Sequence, residues 1–223
     1  NHAPAHCNLG LSLQAIGDIA QAIRQYQAAL KIDPKFVPAQ GNLGNAMMAQ
    51  GAFENAIKAF LKTLKLQPEN YITSLNLGRA YKENGDFQAA FNAFSKVISM
   101  QPEFSEAHND LGLTLYGQGK LETALKSYQK AVDLNPNYAD AYNNMGVAHQ
   151  ELGAVTRAIA SYQKAIAINP NHLVAYGQKM FQQASLCDWR ALQQARTMIA
   201  TLGVSTPAVT PWNMLGFEDH PMR

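Results

Sequence analysis

Side chains that could bind a peptide recur along this 223-residue chain at one fixed spacing. Four asparagines and one aspartate stand 34 residues apart, at Asn8, Asn42, Asn76, Asp110 and Asn144. An asparagine amide has a donor and an acceptor, so it can bind the C=O and N–H of one peptide unit together. An ionised aspartate only accepts, so this two-sided grip is weaker at Asp110. The row predicts recognition of a peptide main chain, and the alternative is that asparagine simply suits a solvated helix face.

A second group of side chains has the spacing of metal ligands. The spacing of His2, His6 and Cys7 on a helix could present two or three ligands to a metal ion. However, His2 and His6 stand four periods before Tyr138 and Tyr142, so they hold ordinary positions of a repeating pattern. We therefore predict no metal here. The chain also shows no glycine-rich phosphate loop or catalytic constellation, so we predict neither a cofactor nor catalysis within it.

The elements that position these side chains follow a period of 34 residues. Glycine, alanine, proline and large apolar residues all repeat in the same register over five units. The prolines are Pro34, Pro68, Pro102, Pro136 and Pro170, and one glycine series is Gly17, Gly51, Gly85, Gly119 and Gly153. A period of this length is typical of stacked helical repeats.

The recurrence of each residue type can be explained by a structural role in a pair of helices, as the fifth unit illustrates. Apolar residues recur at helical spacing on both sides of Gly153, which therefore ends the first helix. Pro170 ends the second helix. We expect the small residue Gly146 where the two helices cross closely, with Met145 and Tyr162 filling the adjoining space. The Tyr/Phe series is predicted to be core packing rather than a cofactor site.

The pattern resembles the tetratricopeptide repeat, although the early tryptophan of that family is absent. The resemblance covers residues 3 to 170 and implies an all-α fold, an α-solenoid in which antiparallel helix pairs form a right-handed superhelix. First helices would line a concave groove. Five repeats are predicted within residues 1–170, in the register 3–36, 37–70, 71–104, 105–138 and 139–172.

In that fold the asparagine row would lie along the groove. Equivalent helices of neighbouring repeats lie about 10 Å apart, and an extended peptide advances roughly 3.3 Å per residue, so one asparagine could hold about every third residue. A clamp for a C-terminal carboxylate is not expected, because the fifth position of the repeats holds no base. Arg79 and Lys82 could meet an acidic side chain, but we interpret them as solvated groups.

The pattern changes at both ends of the chain. The first residues already follow the repeat register and no methionine precedes them, so we expect an array that extends further upstream. After Pro170, residues 171–203 are predicted to form an atypical capping helix pair, with Met180 at the key glycine position. Residues 204–223 read as a linker because of their prolines.

The segment after the array resembles the junction in O-GlcNAc transferase-like (SPINDLY-like) glycosyltransferases. The resemblance rests on Cys187-Asp188-Trp189, Pro211-Trp212 and the acidic residues before Pro221. It implies that the repeats recruit protein substrates for an enzyme that transfers N-acetylglucosamine from UDP-GlcNAc, with catalytic lobes beyond this chain. In that family a similar asparagine ladder binds substrates. Residues 187–189 can also be interpreted as a helix cap with a structural role only. The alternative function for the chain is a free-standing scaffold for protein assembly.

Composition narrows the partners further. The net charge of +2 and the scattered Lys and Arg argue against nucleic acid and anionic membranes. No apolar run is long enough for a membrane span. Two distant cysteines suit a reducing compartment, so we expect a cytoplasmic protein. The expected partners are proteins or extended peptides, and apolar surface on the second helices could also support a homodimer.

Overall fold

A computed structural model of the chain describes residues 2–186. This part of the chain is helical and contains no strand, which confirms the all-α prediction. Residues 1–120 form one compact unit and residues 121–223 a second one. The first unit contains α1 (Ala3–Ala15), α2 (Ile19–Ile32), α3 (Val37–Ala49), α4 (Phe53–Leu66), α5 (Tyr71–Glu83), α6 (Phe87–Met100) and α7 (Ser105–Gly117). The second contains α8 (Leu121–Leu134), α9 (Ala139–Glu151), α10 (Val155–Ile168) and α11 (Leu173–Ser185).

Each first helix ends at a glycine of the predicted series. All five of these glycines have a positive φ, between +70° and +85°, which other residues rarely adopt. At the end of α3, the Gly51 N–H donates to the Met48 C=O at 3.0 Å, and the Ala52 N–H donates to the Met47 C=O at 2.9 Å. These bonds close the last turn and direct the chain into α4. The short connection makes α3 and α4 antiparallel neighbours.

A second glycine series lets the two helices of a pair approach closely. A Cβ atom added to Gly44 would lie 2.4 Å from the Phe60 ring, and one added to Gly146 would lie 2.4 Å from the Tyr162 ring. The aromatic rings are almost completely buried; Tyr26, Phe60, Phe94, Tyr128 and Tyr162 are 0–1% exposed. The prediction that this aromatic series is core packing is confirmed.

A large apolar residue, such as Leu43 or Met145, directly precedes each glycine of this second series. It is expected to fill space within its own helix pair, but it packs elsewhere. Leu43 belongs to a cluster with Tyr26 of the preceding pair, and Met145 packs against Val132 of the preceding helix α8. This residue therefore joins one pair to the next rather than filling space within its own pair. Leu9, on the first helix, has no such neighbour among the described residues and is 49% exposed.

Polar side chains at the starts of several helices satisfy backbone N–H groups. Asp18 and Asp86 accept from the N–H three residues later, at 3.1 and 3.0 Å, at the starts of α2 and α6. His2 and His172 stand five periods apart, and each accepts the N–H of the third residue beyond it at 3.2 Å through Nδ1. Caps of this kind stabilise a helix by about 1 kcal/mol.

Two predictions for the end of the chain can be compared with the structure only in part. Helix α11 lies within the range of the predicted capping pair at 171–203. The rest of that pair, the residues Cys187, Asp188 and Trp189, and the predicted linker at 204–223 lie outside the described residues.

Candidate functional site

The five predicted peptide-binding side chains lie on first helices, as their register requires. In the first unit, Asn8 on α1 is exposed, Asn42 on α3 and Asn76 on α5 are half-buried, and Asp110 on α7 is buried. In the second unit, Asn144 on α9 is half-buried and makes contacts of its own. Three consecutive members of the row, on α3, α5 and α7, thus lie on helices that pack side by side.

These three members are bonded to the first helix of the preceding repeat. Asn42 donates from Nδ2 to Cys7 Sγ at 3.6 Å, and Asn76 donates from Nδ2 to Asn45 Oδ1 at 3.0 Å. Asp110 accepts from Arg79 Nε at 2.7 Å. The row therefore links neighbouring repeats, a structural role that the sequence reasoning missed.

The amide groups keep capacity for a ligand beside these contacts. An amide nitrogen carries two hydrogens, and each bond to Cys7 or Asn45 uses one of them. The carbonyl oxygens of Asn42 and Asn76 also accept hydrogen bonds. A peptide could therefore be bound without breaking the links between repeats.

The carboxylate of Asp110 has a special environment. Burial raises the pKa of Asp110 above its ordinary value, and the nearby positive charges of Arg79 and Lys82 offset part of this effect, while Glu106 adds to it. Arg79 thus neutralises a carboxylate of its own chain. The interpretation of Arg79 as a solvated group is incomplete, because its side chain is 38% exposed but its guanidinium forms an ion pair with a carboxylate that is 8% exposed. Lys82 is likewise 3.2 Å from Glu83.

An open pocket of about 390 Å³ lies between α3 and α5, with α4 behind it. Asn42 and Asn76 both line it, together with Asn45 and Asn70. Gly41 and the exposed Ile72 form part of its apolar wall. The volume falls within the range of roughly 300–1,000 Å³ that is typical of small-ligand pockets. Two residues of the predicted row therefore share one concave surface.

The residues with metal-ligand spacing have other roles. His2 caps α1, and His6 Nδ1 lies 2.8 Å from Gln25 Oε1 on α2. Cys7 is 3% exposed. Within residues 2–186, no three His, Cys, Asp or Glu side chains are grouped as metal ligands.

A half-buried histidine lies in the second unit. His149 on α9 has a buried Nδ1 without a hydrogen-bond partner, and burial, with a smaller contribution from Arg157, lowers its pKa. Among the described helices, none is both long and apolar enough to cross a membrane.

Comparison with known proteins identifies the repeat. Residues 7–71, 78–119, 114–153 and 139–172 match models of the tetratricopeptide repeat. No curated protein sequence matches the chain.

Several solved structures are similar to the chain. YrrB, a TPR protein with an unusual peptide-binding site, is 25% identical with a TM-score of 0.61, over 76% of this chain and 88% of that one. MamA is 28% identical with a TM-score of 0.65, over 72% and 94%. PilF from Pseudomonas aeruginosa has a TM-score of 0.75 over 97% and 96%, but at 18% identity it shows the fold alone.

Proposed function

The chain belongs to the tetratricopeptide repeat proteins, and we propose that it binds extended segments of other proteins along its first helices and so serves as a scaffold. Proteins with this repeat generally bind peptides or proteins. The similarity to YrrB supports the proposal, because YrrB is itself described as having a peptide-binding site.

The observation that carries the proposal is the shared concave surface of α3 and α5. There Asn42 and Asn76 present amide groups on neighbouring helices, beside a pocket open to solvent. Amides of this kind bind the main chain of a peptide and accept many sequences. Asn8 on α1 would extend this contact within the first unit, and Asn144 on α9 would offer an amide of the same kind within the second unit. Asp110 is least suited, since Arg79 already occupies its carboxylate.

The test is the double substitution Asn42→Ala with Asn76→Ala. We expect binding to short acetylated and amidated peptides to weaken by roughly tenfold or more, which corresponds to about 1.4 kcal/mol. The loss of two links between repeats should lower the free energy of unfolding by about 1 kcal/mol per bond. Titration calorimetry and urea unfolding measure the two effects.

A matched control removes two asparagines from second helices, Asn55→Ala with Asn92→Ala, since both side chains are exposed on α4 and α6. This control should bind as the unchanged protein does. Equal binding by the unchanged protein and the Asn42/Asn76 variant would contradict the proposal.

A narrower function is recruitment of substrates for an O-GlcNAc transferase-like enzyme that uses UDP-GlcNAc. It rests on Cys187-Asp188-Trp189 and the residues that follow, which lie outside the described part of the chain. This chain matches 88% of the length of the YrrB chain and 94% of the length of the MamA chain, so those two chains consist largely of repeats. This favours the scaffold. Reading the gene downstream of residue 223 tests the narrower function, since glycosyltransferase lobes must follow if it is right.

A further inference from the structure

Gly41 on α3 is a helical glycine with no structural need to be glycine. Its φ is not positive, and a Cβ atom added to it would meet nothing within 4 Å. By contrast, Gly44 on the same helix is in tight contact with Phe60. Glycine inside a helix is less stable than alanine, because it loses more conformational freedom on folding. The space beside Gly41 is therefore not required by the packing of α3.

The equivalent position of other repeats holds a side chain that fills space. Cys7, Leu75 and Asn109 are each 3–4% exposed, and Leu75 packs in the core cluster around Phe94. In the second repeat this side chain is missing, and Gly41 lines the open pocket between α3 and α5 instead. Gly41 thus leaves open a space that Leu75 fills at the equivalent position of the next repeat, and this space forms part of the pocket.

The chemistry of the pocket wall restricts what can enter. None of the described residues that line it is charged. A buried ion would lose its hydration there without gaining a partner of opposite charge. Apolar surface comes from Val37 and Ile72, and hydrogen-bonding groups come from amides such as Asn45 and Asn76. This combination suits a side chain with an apolar body and a polar, uncharged tip.

We propose that the pocket opened by Gly41 receives one uncharged side chain of the bound peptide, and that tyrosine matches it best. This inference rests on the proposed function, in which the asparagine row binds the main chain of the same peptide. It adds side-chain selectivity to a surface that would otherwise accept many sequences. Lysine and glutamate at that peptide position should be disfavoured, because the described residues that line the pocket offer no opposite charge.

The experiment uses a positional-scanning library of short acetylated and amidated peptides, with one position fixed in turn as Tyr, Gln, Leu, Lys or Glu. The unchanged protein should enrich Tyr over Lys and Glu at one position. Gly41→Leu should fill the pocket and weaken binding of the enriched tyrosine peptide about tenfold. The same peptide with Tyr replaced by Ala should bind both proteins equally, as a double-mutant cycle requires.

Gly177→Leu is the matched control. Gly177 holds the same register position on α11, an added Cβ there also meets no atom of the described residues within 4 Å, and it does not line the pocket. Both leucine variants should keep the helical circular dichroism of the unchanged protein, because neither position needs a positive φ. Only the variant at Gly41 should lose the tyrosine preference.

The possible outcomes distinguish a failure of this inference from a failure of the proposed function on which it rests. If Asn42→Ala with Asn76→Ala weakens binding while Gly41→Leu preserves affinity and preference, the pocket inference is overturned and the proposed function stands. Equal enrichment of Lys or Glu would also overturn the pocket inference alone. If no peptide of the library binds the unchanged protein, both are overturned.

Discussion

Asp110 shows how one residue of a repeated row acquires a separate role. The first, second, third and fifth repeats have asparagine at this position. The fourth repeat instead has a buried aspartate, which pairs with Arg79 at 2.7 Å. Asparagine could accept the same hydrogen bond without a charge. The aspartate gains a charge-assisted bond but loses hydration, and burial is the larger of the two effects on its pKa.

We therefore predict the direction in which Asp110 affects stability with pH. Its pKa is raised in the folded state, so its contribution is fully present below the unfolded pKa near about 4 and is lost as pH rises through the folded pKa. Relative to Asp110→Asn, the unchanged protein should lose stability as pH rises above about 4, by at most about 1.4 kcal/mol per pH unit. Urea unfolding of both proteins at a series of pH values from about 4 upward measures the difference.

The Asp110→Asn variant serves as the control for all other titrating groups, since they are present in both proteins. An unchanged protein that gains stability over the variant as pH rises would contradict the prediction. That result would mean that attraction to Arg79 outweighs the loss of hydration.

At the level of elements, the helix pair depends on a close approach at one glycine. Gly44 allows α3 to lie against the Phe60 ring of α4, whereas Gly41, one turn earlier on α3, faces open space. The two glycines are alike in sequence but have opposite roles in packing. Small residues at a crossing and small residues at a pocket can be told apart only from their neighbours.

Gly44→Ala should destabilise the protein by about 1–3 kcal/mol, because the new methyl group must displace a fully buried ring. Gly41→Ala, the matched control on the same helix, should be neutral or stabilise by up to about 1 kcal/mol. The shift of the urea unfolding midpoint measures both. A similar loss of stability in the two variants would contradict the assignment of these glycines.

The helix pairs could be predicted from sequence because each boundary has its own chemical marker. A glycine of positive φ ends every first helix of the five repeats, and prolines follow the second helices. The register also placed Asn42 and Asn76 on first helices. Their bonds to Cys7 and Asn45 could not be predicted, since those partners are 35 and 31 residues away and depend on how neighbouring repeats stack. The pocket depends on the same stacking.

The sequence nevertheless contains one indication of the hydrogen bonds between neighbouring repeats. The residue three places after the asparagine position is polar only in the second and third of the five repeats, as Asn45 and Arg79. These are the residues that bond to the next repeat. Comparing each repeat with its successor, rather than with the average repeat, would have indicated them.

For the whole molecule, the relevant division is between residues 1–120 and 121–223. The first unit contains three complete helix pairs, and α7 packs against α6 through a cluster that includes Phe104 and Ala107. Repeat arrays need about three stacked units for stability, because one pair cannot bury its apolar face alone.

We predict that a fragment of residues 1–120 folds on its own. Its far-ultraviolet circular dichroism should be helical, and it should unfold cooperatively in urea. A fragment of residues 1–70, with only two pairs, is the control and should show a much weaker transition. Loss of helical structure in the longer fragment would contradict the prediction.

The bonds between successive first helices also bear on how such an array can evolve. Tyr26 and its partner Gln14 belong to one repeat, as do Tyr162 and Gln150, so gene duplication of a whole repeat copies each pair intact. Asp110 and Arg79 belong to different repeats. A duplicated fourth repeat inserted after itself would face Leu113 in place of Arg79 and leave its carboxylate without a cation. Duplication of this repeat alone would therefore not preserve the ion pair, although each repeat resembles the next.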